Sequence, residues 1–77
     1  MMETSDQRIT VIIADDNEDF AVATKAYLEK EGMRVQALAH TGDEAIAMTR
    51  QYRPDVLVLD LCLPRTDGIG VLSALST

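Results

Sequence analysis

Apolar residues along the chain come in three short β-rich runs, separated by stretches in which they recur at helical spacing. Ile9-Thr10-Val11-Ile12-Ile13-Ala14 is the first run, and it stops at two aspartates. An uninterrupted run of this kind predicts a strand buried on both faces, as in a parallel sheet. The next stretch predicts a helix from Asp19 to Glu31, with Phe20, Ala23, Tyr27 and Leu28 on one stripe and Lys25, Glu29 and Lys30 facing outward. Asp16 or Asn17 caps its start, and Gly32 stands where a left-handed helix stop is expected.

Met33 to Ala39 (MRVQALA) predicts a second, less apolar strand at a sheet edge. Thr41-Gly42-Asp43-Glu44 has capping-box spacing, with Thr41 as cap and Glu44 three residues on. The helix that it opens runs to about Tyr52 and closes at Arg53-Pro54, because the residue before proline avoids helical angles. Asp55-Val56-Leu57-Val58-Leu59-Asp60 predicts the third and most apolar strand. A loop with Pro64 and Asp67-Gly68 follows, and Ile69 to Leu75 predicts a final short helix.

The order β-α-β-α-β-α, with no repeat or interdomain linker, implies a three-layer, doubly wound parallel α/β sheet. Ligands in such sheets bind at the carboxyl ends of the strands. Asp15-Asp16 ends the first strand and Asp60 the third. If those strands are neighbours, all three carboxylates meet at one edge.

Bulk properties narrow the function classes. The 77 residues allow one small domain, with 47% hydrophobic and 26% charged residues in the globular range. A net charge of −6 leaves no basic stripe, so no direct nucleic-acid contact is expected. Cys62 is the only cysteine, which excludes an internal disulfide or a cysteine-rich zinc site and fits a reducing compartment. Residues 1–8 read as a flexible polar leader without the apolar segment of a signal peptide, and residues 9–77 as the domain. No run approaches the ~20 apolar residues of a membrane span, so a cytoplasmic protein without membrane contact is expected.

Three carboxylates in one cleft repel each other unless a cation joins them. An all-oxygen donor set suits Mg2+, which takes one or two carboxylates, several waters and a substrate phosphate. A main-chain carbonyl just past Asp60 would complete the shell. One carboxylate oxygen can then act as nucleophile towards phosphorus, giving an aspartyl-phosphate. Taken alone, Asp15-Asp16 is more often a solvated strand end with a helix cap, and Asp60 an ordinary loop carboxylate. Their delivery from two separate strand ends favours a site. His40 has no second ligand beside it and reads as a partly exposed loop residue. Cys62 has no basic neighbour to lower its pKa and is given a main-chain role only. Met33, Met48, Tyr27 and Tyr52 are assigned to packing.

Here the sequence resembles the receiver domain of two-component response regulators, of the flavodoxin-like (CheY-like) fold. The matching pieces are Ile12-Ile13-Ala14-Asp15-Asp16-Asn17, Pro54-Asp55-Val56-Leu57-Val58-Leu59-Asp60, and Leu63-Pro64 with Asp67-Gly68. The phrasing around Asp60 is also similar to the receiver of the stage-zero sporulation regulators. The resemblance implies that Asp60 is the phosphoacceptor, Asp16 a direct Mg2+ ligand, and Asp15 a ligand through water. It makes the carbonyl of Cys62 the main-chain ligand and gives Pro64, Asp67 and Gly68 the shaping of the loop. Leu63 departs mildly from the methionine that the family usually places before that proline.

The resemblance further implies a phosphorelay module that takes phosphate from a sensor histidine kinase or histidine phosphotransfer protein, regulates transcription through an output domain outside this chain, and turns over no external substrate. A receiver has strand order 2-1-3-4-5, of which this chain carries a partial sheet, 2-1-3. The switch Ser or Thr of strand four, the Lys of strand five and the α4-β5-α5 surface fall outside it, so a truncated piece is expected. Strand three then becomes an exposed edge open to self-association. Two rival functions stand beside this one. A piece binding metal or kinase without phosphotransfer is the first. The second, an aspartyl-phosphate phosphatase of haloacid-dehalogenase type, wants Asp two residues after the nucleophile, where this chain has Cys62.

Overall fold

The structure, a computed structural model, describes residues 7–60 and 68–75. Residues 1–6 of the expected leader, and Cys62, Leu63, Pro64 and Asp67 of the loop, lie outside the described residues.

β1 (Thr10–Ala14) is buried from Val11 to Ala14, so it has no face to give to solvent. It accordingly takes the central place. β2 (Arg34–Ala39) pairs with it in parallel on one side and β3 (Val56–Leu59) on the other, giving the order β2-β1-β3. This is the 2-1-3 order expected from the sequence. Among the described residues β2 and β3 are both edges, β3 as well as the less apolar β2.

β2 carries a bulge. Val35 pairs with Val11 but Ala37 pairs with Ile12, which leaves Gln36 as the extra residue. Without it Val35 and Leu38, three positions apart, would face opposite sides. With it, both pack on the cluster formed by Val11, Ile13 and Ala21. The bulge thus corrects the phase of a strand whose apolar pattern is out of step.

α1 (Glu18–Lys30) covers that face of the sheet. The expected stripe needs correction. Phe20 and Tyr27 are 62% and 63% exposed, Ala23 is exposed too, and of the four only Leu28 packs inward. The buried stripe is shifted by one residue, onto Ala21 and Leu28, because the small Ala21 side chain lets the helix lie close to Val11 and Ile13. Tyr52 is likewise exposed, so neither tyrosine is a packing residue, whereas Met33 and Met48 are. Asn17 caps α1 by accepting from the Phe20 N–H at 3.0 Å. At the other end Met33 N–H donates to Leu28 O and Gly32 N–H to Glu29 O, both at 3.0 Å, around Gly32 at φ 92°. That pattern is a Schellman stop.

α2 (Gly42–Tyr52) and α3 (Gly68–Leu75) cover the opposite face, where Ala14, Ala39, Ala45 and Val71 form a buried cluster with Leu57, Leu59 and Met48 against it. Thr41 Oγ1 accepts from Glu44 N–H at 3.1 Å, while Glu44 Oε1 accepts from His40 N–H at 2.7 Å. The return bond thus reaches one residue beyond the cap. α2 ends at Arg53, whose φ of 50° is left-handed and whose N–H donates to Thr49 O at 2.9 Å. Arg50 Nη2 donates to Ala74 O at 3.2 Å and ties α2 to α3. Among the described residues no helix is long and apolar enough to cross a membrane.

Candidate functional site

The site begins where the buried runs end. β1 and β3 are parallel and in register from Val11↔Val56 to Ala14↔Leu59, so the residues that follow them, Asp15 and Asp60, emerge side by side. Main-chain bonds hold both positions. Asp60 N–H donates to Ala14 O and Asp15 N–H to Ala39 O, each at 2.9 Å, which laces the carboxyl ends of all three strands together. The chain turns into α1 through Asp15 Oδ1, which accepts from Asn17 N–H at 2.9 Å. That Asx-type turn leaves Asp16 on the exposed side of the bend.

One carboxylate oxygen from each of Asp15, Asp16 and Asp60 lies within 4.8 Å of the others. Asp15 and Asp60 are partly buried and Asp16 is exposed. Asp60 and Asp15 also line a cavity of about 310 Å3 on the α1 face, bounded by Phe20, Thr24 and Val58. The sequence pointed to the three carboxylates, and the fold brings them together. It gave no warning of Phe20 and Thr24 as site-lining residues, because the helical stripe assigned Phe20 to the core. His40 is half-buried after β2 and belongs to no described group of metal-capable side chains. Of the loop residues, Gly68 opens α3, while Cys62, Pro64 and Asp67 lie outside the described residues.

The family model described as the response regulator receiver domain matches residues 11–77. The chain belongs to this family. Such a domain is a phosphoacceptor signalling module, and the sheet order and helix placement agree with it. A curated relative is the protein-glutamate methylesterase/protein-glutamine glutaminase 2 of Nitratidesulfovibrio vulgaris, 40% identical over 83% of this chain but only 18% of its own length. The receiver domain of the response regulator NarL from Mycobacterium tuberculosis matches with a TM-score of 0.88 and 28% identity, over 92% of this chain and 58% of that one. The CheX–CheY–BeF3–Mg2+ complex of Borrelia burgdorferi matches with a TM-score of 0.80 and 28% identity, over 87% of this chain and 52% of that one. The chain therefore spans less than a fifth of the curated relative and somewhat over half of the two solved chains.

Proposed function

We propose that Asp60 is the phosphoacceptor of this receiver and that Asp15, Asp16 and Asp60 hold Mg2+ beside it. The observation that carries this reading is the convergence of three carboxylate oxygens from two strand ends within 4.8 Å. Two oxygens on opposite sides of a Mg2+ ion stand roughly 4.2 Å apart, twice the usual metal–oxygen distance. The cluster thus fits with a small contraction, or with one carboxylate acting through water. Asp15 suits the water-mediated place, since its Oδ1 is already engaged by Asn17 N–H. Asp16, exposed and next in the chain, suits direct ligation. The main-chain carbonyl of Cys62 would be a further ligand, with Pro64, Asp67 and Gly68 shaping the loop. The related Borrelia burgdorferi complex contains BeF3 and Mg2+, which supports the same chemistry here.

In the transfer step a carboxylate oxygen of Asp60 attacks phosphorus of a phosphohistidine donor. The O–P bond forms as the N–P bond breaks, and the histidine nitrogen leaves with the electron pair and takes up a proton. Mg2+ supplies charge neutralisation on the phosphoryl oxygens. The donor is a sensor histidine kinase or a histidine phosphotransfer protein, and the setting is the cytoplasm. Residues 9–77 form the receiver portion, and transcription control belongs to an output domain outside them. The two lysines of the chain, Lys25 and Lys30, both lie on α1, and Lys25 pairs with Glu29 at 3.2 Å. Neither takes the phosphoryl-gripping place of the family's lysine, so the 77-residue polypeptide is expected to react slowly.

The test is incubation with Mg2+ and either beryllofluoride or acetyl phosphate, read by fluorine NMR and intact mass. An adduct on the wild type, absent from Asp60→Asn, is expected. A folded wild type that gives no adduct with either reagent sinks phosphoacceptor activity for this polypeptide.

A further inference from the structure

At the edge of the sheet opposite the carboxylates, β1 and β3 are joined by side chains. Thr10 N–H donates to Asp55 Oδ2 at 2.9 Å and Thr10 Oγ1 donates to the same oxygen at 3.1 Å. Asp55 N–H in turn donates to Thr10 Oγ1 at 2.9 Å. The two residues are 45 positions apart and stand one place before the first paired residues, Val11 and Val56. We infer that Thr10 and Asp55 are positioning residues for the carboxylate cluster, acting by fixing the register of β3 against β1.

The register of a strand is normally set by its hydrophobic pattern or by a tight turn. β3 has neither. Its four residues are Val-Leu-Val-Leu, so both phases of the strand are apolar, and a one-residue slip would only exchange Leu57 and Leu59 for Val56 and Val58 on the packed face. Its connection to β1 runs through α1, β2 and α2, too long to dictate the pairing. A slip, however, would carry Asp60 about 3.3 Å along the strand and turn its side chain to the other face. That would remove it from a cluster only 4.8 Å wide. The reciprocal bonds between Thr10 and Asp55 form in one register alone. They complete at the amino edge the ladder that Asp60 N–H to Ala14 O completes at the carboxyl edge.

This inference rests on the proposed Mg2+ site, so the experiment reads the register and the metal separately. Amide exchange at Asp60 reads the register without metal, and Mg2+ titration reads the site. Thr10→Val removes the hydroxyl, Asp55→Asn keeps one acceptor and is the milder change, and Thr10→Ser keeps the hydroxyl. Leu28→Ala, on the α1 face, serves as a control that lowers stability without touching the clamp. Thr10→Val and Asp55→Asn are expected to speed exchange of the Asp60 amide and to weaken Mg2+ binding by about tenfold, the low end of what lost outer-shell support costs. Thr10→Ser should match the wild type in both, and Leu28→Ala in metal affinity. Unchanged Asp60 protection in a folded Thr10→Val or Asp55→Asn protein overturns the inference, as does an equal loss of Mg2+ affinity in Leu28→Ala. A wild type that binds no Mg2+ overturns the metal site itself, and exchange at Asp60 still decides whether the clamp sets the register.

Discussion

Asp15 shows how one side chain can serve both turn and site. Its Oδ1 accepts the Asn17 N–H, which starts the bend into α1, and the same carboxylate contributes an oxygen to the cluster with Asp16 and Asp60. Asn17 then caps the helix through Phe20 N–H, so the segment that presents the acids is also the one that nucleates α1. Gly32 performs the matching task at the other end. Nothing lies within 4 Å of where its Cβ would be, yet its φ is 92°. The cost of a side chain there is therefore conformational rather than steric. Gly32→Ala is expected to lower stability by about 1 kcal/mol, the left-handed penalty less the entropy gained in the unfolded chain. Urea unfolding measures this, and an unchanged midpoint would show that the Schellman stop does not depend on glycine.

Among the elements, β2 depends on a single irregularity. Gln36 is the extra residue of its bulge, and its Oε1 is buried without a hydrogen-bond partner among the described residues. Its worth thus lies in its length of backbone, not in its side chain. Deleting Gln36 should turn either Val35 or Leu38 away from the Val11–Ile13–Ala21 cluster and cost about 2 kcal/mol, the worth of one buried aliphatic side chain. Gln36→Ala should cost far less. Thermal melting of the two variants separates the alternatives, and equal stability of the deletion and the wild type would rule out the re-phasing role. α1 makes a related point about small residues. Ala21 rather than Phe20 meets the sheet, which leaves Phe20 free to line the cavity beside Asp15 and Asp60.

The molecule as a whole links metal, charge and stability. It carries a net charge of −6 on 77 residues, and three of its thirteen acidic side chains meet at one strand edge. A ligand that binds only the folded state stabilises it by mass action, on the order of 1.4 kcal/mol at ten times its dissociation constant. For a domain of this size that corresponds to a rise of roughly 5 to 10 °C in melting temperature. Mg2+ is therefore expected to raise the melting temperature of the wild type in a saturable way, and to leave that of Asp16→Asn and Asp60→Asn nearly unchanged. Differential scanning calorimetry across a Mg2+ series checks this, and an equal rise in all three proteins would mean non-specific screening rather than a site.

The sequence by itself determined the six elements, their parallel α/β order, the cap at Thr41, the stop at Gly32 and the three acids that end the first and third strands, while the structure chose Asn17 over Asp16 as the cap of α1. These follow from local chemistry: apolar runs of strand length, a cap side chain three positions from its partner, and acids at the ends of apolar runs. Only the tertiary structure decided which stripe of α1 is buried, because Phe20 and Ala21 are both apolar and the choice depends on how closely the helix approaches Val11 and Ile13. The bulge at Gln36 likewise becomes visible only against the pairing of β1 with β2. The clamp between Thr10 and Asp55 joins positions that no local pattern connects. Thr10 opens β1 and Asp55 precedes β3, but only the parallel pairing of the two strands makes one the partner of the other. The acids were legible because chemistry names them one by one. Their register was not, since a strand reading Val-Leu-Val-Leu is apolar in either phase.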